Sequence, residues 1–256
     1  MLRKRIIFTL IYENGFFHQS RNFRLQKVGN LNWLEKNYKF QDISFSLDEI
    51  IVLNASKKEK NIQAFASTLN QLVDDVFIPV SAGGGINSID DANLLFKNGA
   101  DKIVLNSILF ENPLLVTELV KTYGSQSIVA SVDYKSVNNE TQVFINNGTK
   151  LISKTLVEYI KYIEELNIGE IYLNSIDKDG TGFGYDFETI NTVSKDITVP
   201  LIIAGGAGNE KHLTEALKND SINATATANL FNFIGNGLPN ARKIILKEGL
   251  NIAQWS

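Results

Sequence analysis

The chain has 256 residues, with 25 Lys and Arg against 28 Asp and Glu, a net charge of -3, and 44% hydrophobic residues. Those values suit a single α/β domain spanning residues 1–256 and argue against disorder, while the charge balance leaves no polybasic footprint for nucleic acid or anionic lipid. The absence of cysteine excludes disulfides, zinc–thiolate sites, iron–sulfur clusters and a cysteine nucleophile on this chain.

In chain order, short apolar and β-branched runs predict strands near Arg5–Ile11, Glu49–Asn54, Phe77–Ala82, Lys102–Asn106, Ser127–Asp133, Glu170–Asn174, Pro200–Ala204 and Ala224–Ala228. Near-continuous apolar runs of this kind belong to strands buried on both faces. Amphipathic stretches at Ser88–Asn98, Pro113–Tyr123, Leu156–Leu166 and Glu210–Lys218 read as helices between them. Asn112-Pro113 is a helix start signal, and Gly99 and Gly124 are stop signals. Glu140–Lys150 reads as a β-hairpin inserted after the fifth strand, with Asn147-Gly148 at its turn. Asn22–Ser46 and the segment after Phe233 give no clear pattern. Eight strands alternating with helices predict a (β/α)8 TIM barrel.

An offset of 121 residues lays Asp48-Glu49-Ile50 on Gly169-Glu170-Ile171, Pro79 on Pro200 and Gly84-Gly85 on Gly205-Gly206. With one residue of slippage, Arg5–Ile11 falls on Ser127–Asp133 and Ser107 on Asn229. Matches in the same order predict two half-barrels with twofold pseudo-symmetry.

No apolar run reaches the length of a membrane span, and polar Glu13 and Asn14 interrupt the opening apolar stretch too early for a signal peptide. A cytoplasmic protein is expected. Two histidines, His18 and His212, do not make a histidine-rich metal site, so no metal or other cofactor is expected.

In such a barrel the strand C-termini carry the reactive face. Two glycine turns stand there, Gly84-Gly85 and Gly205-Gly206, each followed by a strand ending in small polar residues: Asn106-Ser107 and Asn229. With Asp179 and Thr181 of the Asp177–Thr181 loop, they are candidate phosphate-binding positions, because glycine turns entering helices present backbone N–H groups to an oxyanion. Tight βα turns also need glycine for shape alone. Asp133 ends an apolar strand, either as a general acid/base or as a cap or loop anchor. Its mate under the repeat is Ile11, which cannot move a proton. At the opposite end Arg5, Glu49, Lys102 and Glu170 begin their strands; pointing inward, they would form either a plug of mutually satisfied ion pairs or a polar gate.

Lys4–Ile7, Gly83–Ile86, Gly99–Lys102, Gly124–Gln126, Asp177–Thr181, Gly184–Asp186 and Ala204–Gly208 together resemble the HisF family, the cyclase subunits of imidazole glycerol phosphate synthase, over almost the whole chain. That resemblance implies a barrel docked at its bottom on a HisH-like glutaminase, near Asp101 and Gln126. Ammonia would pass the gate formed by Arg5, Glu49, Lys102 and Glu170. It also implies two catalytic aspartates, of which the second is Asp133 while the first is Ile11. The family's first-loop lysine becomes Gln19, and its strand-two aspartate becomes Asn54. The aliphatic replacement, Gly124–Ser127 and Leu173–Asp177 look closer to a HisF-like acetamidino-modification branch of surface-glycan biosynthesis. There the barrel and glutaminase would supply ammonia to a separate sugar amidotransferase. Alternatives are the ordinary cyclase of histidine biosynthesis and a catalytically silent scaffold that activates the glutaminase. His18-Gln19 and Asn54–Lys57 depart from both branches.

Overall fold

A computed structural model describes residues 3–57, 60–74, 76–233 and 235–254. The strands in chain order are β1 (Arg5–Glu13), β2 (Phe16–Arg21), β3 (Arg24–Gly29), β4 (Glu49–Asn54), β5 (Val80–Gly83), β6 (Lys102–Leu105), β7 (Ile128–Val137), β8 (Glu140–Ile145), β9 (Lys150–Thr155), β10 (Glu170–Ser175), β11 (Leu201–Ala204) and β12 (Ala224–Thr227). Eight of them pair in parallel in the order β10-β11-β12-β1-β4-β5-β6-β7, and β10 pairs with β7 to close the cylinder. The fold is a (β/α)8 barrel.

The alternation of side chains along each strand explains the apolar runs. On β1, Ile6, Phe8, Leu10 and Tyr12 face outward into the sheet–helix core, while Ile7 belongs to a separate cluster inside the cylinder. Both faces are dry, so polar alternation is absent. The outer helices follow the same logic. Helix Ile62–Val73 buries Ile62, Phe65, Ala66, Leu69 and Leu72, a spacing that places one stripe against the sheet. Asn61 caps its start by accepting from the Ala64 N–H at 2.9 Å. Asn112 caps helix Pro113–Tyr123 with proline in its first turn, and Gly124 ends that helix with φ +82°. Thr155 and Glu158 form a reciprocal capping box on helix Leu156–Glu164.

The half-barrel repeat appears in the hydrogen-bond register. Ile50 pairs with Val80 and Ile171 with Leu201, the same two pairings displaced by the 121-residue offset. Ile11 pairs with Leu53, and Asp133 with Asn174, so Ile11 and Asp133 occupy equivalent places.

Two sequence expectations need correction. The hairpin after the fifth barrel strand extends beyond Lys150: β8 and β9 run to Thr155, and β8 pairs with an extended β7, making a three-stranded antiparallel annex. Asn22–Ser46 is structured: β1 continues past the barrel into β2 and β3, a second antiparallel annex, followed by helix Leu31–Tyr38. The positive-φ residues Asn14, Gly15, Asn22 and Phe23 make the two turns. Helix Gly237–Lys247 follows Phe233, and Arg242 anchors it to the barrel floor through Asp48 at 2.5 Å.

Among the described residues no helix is long and apolar enough to cross a membrane. Nor do they contain three or more His, Asp or Glu grouped to hold a metal ion.

Candidate functional site

The strand starts bring four charges together at the barrel floor. Arg5 bonds Glu49 at 2.8 Å through Nη1 and Glu170 through Nη2. Lys102 Nζ reaches both carboxylates at 3.1 Å. The result is a closed, neutral ring of alternating sign, with Ser81 Oγ donating to Glu49 at 2.5 Å as a further support. Burial lowers the Arg5 pKa, but the ion pairs with Glu170 and Glu49 more than offset it and hold the guanidinium charged. Asp101 and Gln126 lie exposed on the same end; Asp101 accepts from the Val80 N–H at 2.8 Å, while Gln126 Nε2 donates to the Tyr123 carbonyl.

Above the ring, Ile7, Ile51, Val104, Val129, Tyr172, Ile202, Ala224 and Ala226 fill the cylinder with an apolar layer. Tyr172 OH lies 3.1 Å from Thr9 Oγ1, so its polar end is satisfied within the barrel. A cavity of about 610 Å³ opens above it at the strand C-termini. Thr9, Val104 and Tyr172 line its depth, so the cavity floor rests on the layer that the ring closes from below.

Asp133 stands in this cavity at 7% exposure, its two oxygens held separately: Asn106 Nδ2 donates to Oδ2 at 3.0 Å and Asn174 Nδ2 to Oδ1 at 3.1 Å. Burial pushes its pKa up to about 7, against the two amide hydrogen bonds, which pull it down. A carboxyl group poised there can give or take a proton near neutrality. Asn174 is one functional neighbour that reading the sequence did not single out; its position opposite Asp133 in the register is the signal that would have found it. Lys60 also lines the cavity, and its charge acts on Asp133. Ile11 lines the cavity at the place equivalent to Asp133, with Leu53 beside it, and neither supplies a proton-transfer group.

Gly84, Gly85, Gly205 and Gly206 all line the mouth. A Cβ on Gly84, whose φ is +97°, would stand 2.2 Å from the Asn54 carbonyl oxygen, so the turn closes only with glycine there. Other expected anion contacts have different engagements. Asp179 lines the cavity, but its carboxylate accepts from Ser20 Oγ at 2.5 Å and the Phe23 N–H at 3.0 Å, fastening the β2–β3 annex. Its negative charge opposes a phosphate rather than holding one. Burial raises its pKa, and those two donors lower it. Thr181 lies outside the cavity lining and donates to the Lys178 carbonyl at 2.8 Å. Asn106 is spent on Asp133 and on the Ser131 carbonyl. Ser107 Oγ donates to Asn146 Oδ1 at 2.8 Å, and Asn229 Oδ1 caps the following turn by accepting from the Phe231 and Asn232 N–H groups. Gln19 lines the cavity with its Oε1 accepting from the Leu230 N–H at 2.8 Å. His18 is buried against Glu13, away from the cavity lining.

A closed parallel barrel with two buried carboxyl groups, Asp133 and Asp179, and paired glycine turns at its C-terminal mouth defines a (β/α)8 protein of the kind that binds small ligands at that end. The family model described as "Histidine biosynthesis protein" matches residues 24–234. Over 256 residues the chain is 42% identical to the putative imidazole glycerol phosphate synthase subunit hisF2 of Parasynechococcus marenigrum, covering all of this chain and 95% of that protein. It is 36% identical to the imidazole glycerol phosphate synthase subunit HisF of Hydrogenobaculum over 97% of each chain. With the corresponding subunit of Clostridium botulinum it shares 34% identity, over 98% of this chain and 99% of that one. The chain belongs to the HisF family of histidine biosynthesis proteins.

Proposed function

We propose that this chain is the ammonia-using barrel subunit of a glutamine-dependent synthase of the imidazole glycerol phosphate synthase type. One observation carries the reading: the charged ring at the floor and the Asp133 cavity at the mouth stand on one axis, separated by the apolar layer. Neutral ammonia can cross such a layer, whereas ammonium pays the full cost of burying a charge. The ring has the composition of a gate. Lys102 makes only two single bonds on a flexible stem and can swing away, leaving Arg5 to hold both glutamates. A HisH-like glutaminase partner docks on the floor, where Asp101 and Gln126 are exposed and Phe77 and Phe45 present apolar surface at 79% and 63% exposure. At the mouth, the glycine turns hold a phosphorylated small molecule and Asp133 serves as general acid/base.

The names of the relatives favour the cyclase of histidine biosynthesis over a role in acetamidino modification. A specific feature supports the latter as a second reading. Ile11 stands where the family resemblance implies the other catalytic carboxylate, so a mechanism of two paired carboxylates lacks one member. In that reading ammonia leaves the mouth for a separate sugar amidotransferase that modifies a surface-glycan precursor in the cytoplasm.

Reconstitution with a HisH-like glutaminase and amide-labelled glutamine tests both. Formation of labelled imidazole glycerol phosphate, lost in Asp133→Asn, supports the cyclase. Label passing to a sugar only when an amidotransferase is present supports the second reading. Glutaminase activation with all label released to bulk solvent would leave only a scaffold and refute the conduit.

A further inference from the structure

The two asparagines that hold Asp133 are not equivalent. Asn106 Nδ2 spends both of its hydrogens, one on Asp133 Oδ2 at 3.0 Å and one on the Ser131 carbonyl at 3.0 Å. Asn174 Nδ2 makes a single hydrogen bond, to Asp133 Oδ1 at 3.1 Å. Its own Oδ1 accepts from no described residue and lies beside Gly205, where a Cβ would stand 3.2 Å from it.

An amide turned half a revolution about its Cβ–Cγ bond exchanges a donor for an acceptor of nearly the same shape. For Asn106 that turn would set an oxygen against the Ser131 carbonyl and break both hydrogen bonds. For Asn174 it gives up only the bond to Asp133, and replaces it when Oδ1 is protonated, because the turned amide then presents an acceptor to the O–H. The same asymmetry places the proton. On Oδ2 a proton would face an N–H that is tied in place, whereas on Oδ1 it meets an amide able to receive it. Four other titratable groups act on Asp133 or feel its charge: Lys60 before helix Ile62–Val73, Asp179 in the loop after β10, Tyr172 on β10 and Tyr159 on helix Leu156–Glu164. None of them hydrogen-bonds either oxygen, and burial keeps both tyrosines protonated.

We propose that Asn174 is a positioning residue for Asp133, turning its amide as the carboxyl group gains or loses a proton, and that this proton is carried on Oδ1. Asn106 keeps Oδ2 as a fixed acceptor. When Asp133 acts as an acid, the Oδ1 proton passes to a basic atom of the ligand and an Asn174 N–H takes its place at the oxygen. When Asp133 acts as a base, the order reverses. The carboxyl group is hydrogen-bonded on both oxygens before and after the transfer. This role rests on Asp133 serving as general acid/base in the proposed function, and requires neither ammonia nor turnover.

The test follows the full chain by NMR from about pH 5 to about pH 9, with isotope labels in the Asp carboxyl groups and the Asn side-chain amides. Cross-relaxation from the Asn174 amide hydrogens to the Gly205 α-hydrogens should be present at the acid end and fade with the Asp133 midpoint, since only the turned amide puts its NH2 beside Gly205. The Asn106 amide should keep one set of neighbours throughout. Asn106→Leu removes a donor that serves only the carboxylate and should raise the Asp133 midpoint by about one pH unit or more. Asn174→Leu removes a partner of both states and should raise it by less than half as much. The proposal is overturned if the Asn174 amide keeps the same neighbours across the titration, or if the two leucine variants raise the midpoint equally. An Asp133 that does not titrate in this range would remove the acid/base role and the turning amide together, whereas titration beside an unmoved Asn174 would remove the turning amide alone.

Discussion

Replacing Glu170 by Gln at the barrel floor removes one of two anions that hold two cations. In the wild type Glu170 accepts from both Arg5 nitrogens and from Lys102, with its side chain 8% exposed. The glutamine keeps one acceptor oxygen but turns an amide NH2 toward a cation and leaves the ring with a net positive charge. Breaking one member of a fully buried ion pair costs about 3–5 kcal/mol. Arg5 and Lys102 are 22% exposed, so water recovers part of that loss. The expected loss is therefore roughly 2–3 kcal/mol, a fall in Tm of roughly 4–12 °C for a chain of this size. Adding Lys102→Met restores neutrality with the Arg5–Glu49 pair intact, and should return about 1–2 kcal/mol relative to the sum of the single substitutions. Urea unfolding followed by circular dichroism and by fluorescence measures both effects, and agreement of the two probes licenses the free energies. A loss below about 0.5 kcal/mol for Glu170→Gln, or strict additivity in the double variant, would show that the ring is not the coupled, desolvated unit described here.

Asp133→Asn should become more stable relative to wild type as pH rises. The wild-type carboxyl group has a folded-state pKa raised to about 7 by burial, so its favourable protonated form is lost as pH rises through that value; the amide carries no such cost, and the advantage fades as pH falls toward about 4. Unfolding measured at pH 5 and pH 8 checks the sign, and a pH-independent difference would contradict it. Gly206→Ala should destabilise by more than about 1 kcal/mol, since φ is +111° and the new Cβ would lie 2.0 Å from the Gly184 carbonyl oxygen. A Tm equal to wild type would refute the close approach. Asp179→Ala should free the Ser20 hydroxyl and the Phe23 N–H, raising amide exchange around residues 20–23 while exchange in β10 and β11 stays slow.

The eight barrel strands were legible because a strand dry on both faces writes a continuous apolar run, and Glu49–Asn54 matches its observed bounds. The register agrees with the internal repeat because register and repeat both follow from which residue faces the axis. The β2–β3 annex was not legible: Phe16–Arg21 mixes Phe with His, Gln and Arg, and Asp179, distant in sequence, fastens it. The floor ring could be placed by strand position, but its closure depended on side-chain reach. Asp133 was visible as a charge ending an apolar run, whereas its partners Asn106 and Asn174 come from neighbouring strands, a relation that exists only once the cylinder closes. The donors of Thr181 and Asn106 are engaged within the chain, a fact hidden from the sequence because a side chain's spare hydrogen bonds cannot be counted before its neighbours are known.

β1 and β7 both overrun the cylinder and fold back as antiparallel annexes. They are also the equivalent strands of the two half-barrels. The overhang thus recurs at the same place in both halves. Above the mouth the overhangs meet: a Cβ on Gly148 of the second would stand 2.8 Å from Phe23 of the first. Each half-barrel therefore supplies one wall of the cavity's rim, Gln19, Phe23 and Leu25 from the first overhang and Asn146 and Asn147 from the second, so a ligand entering the mouth meets both halves at once.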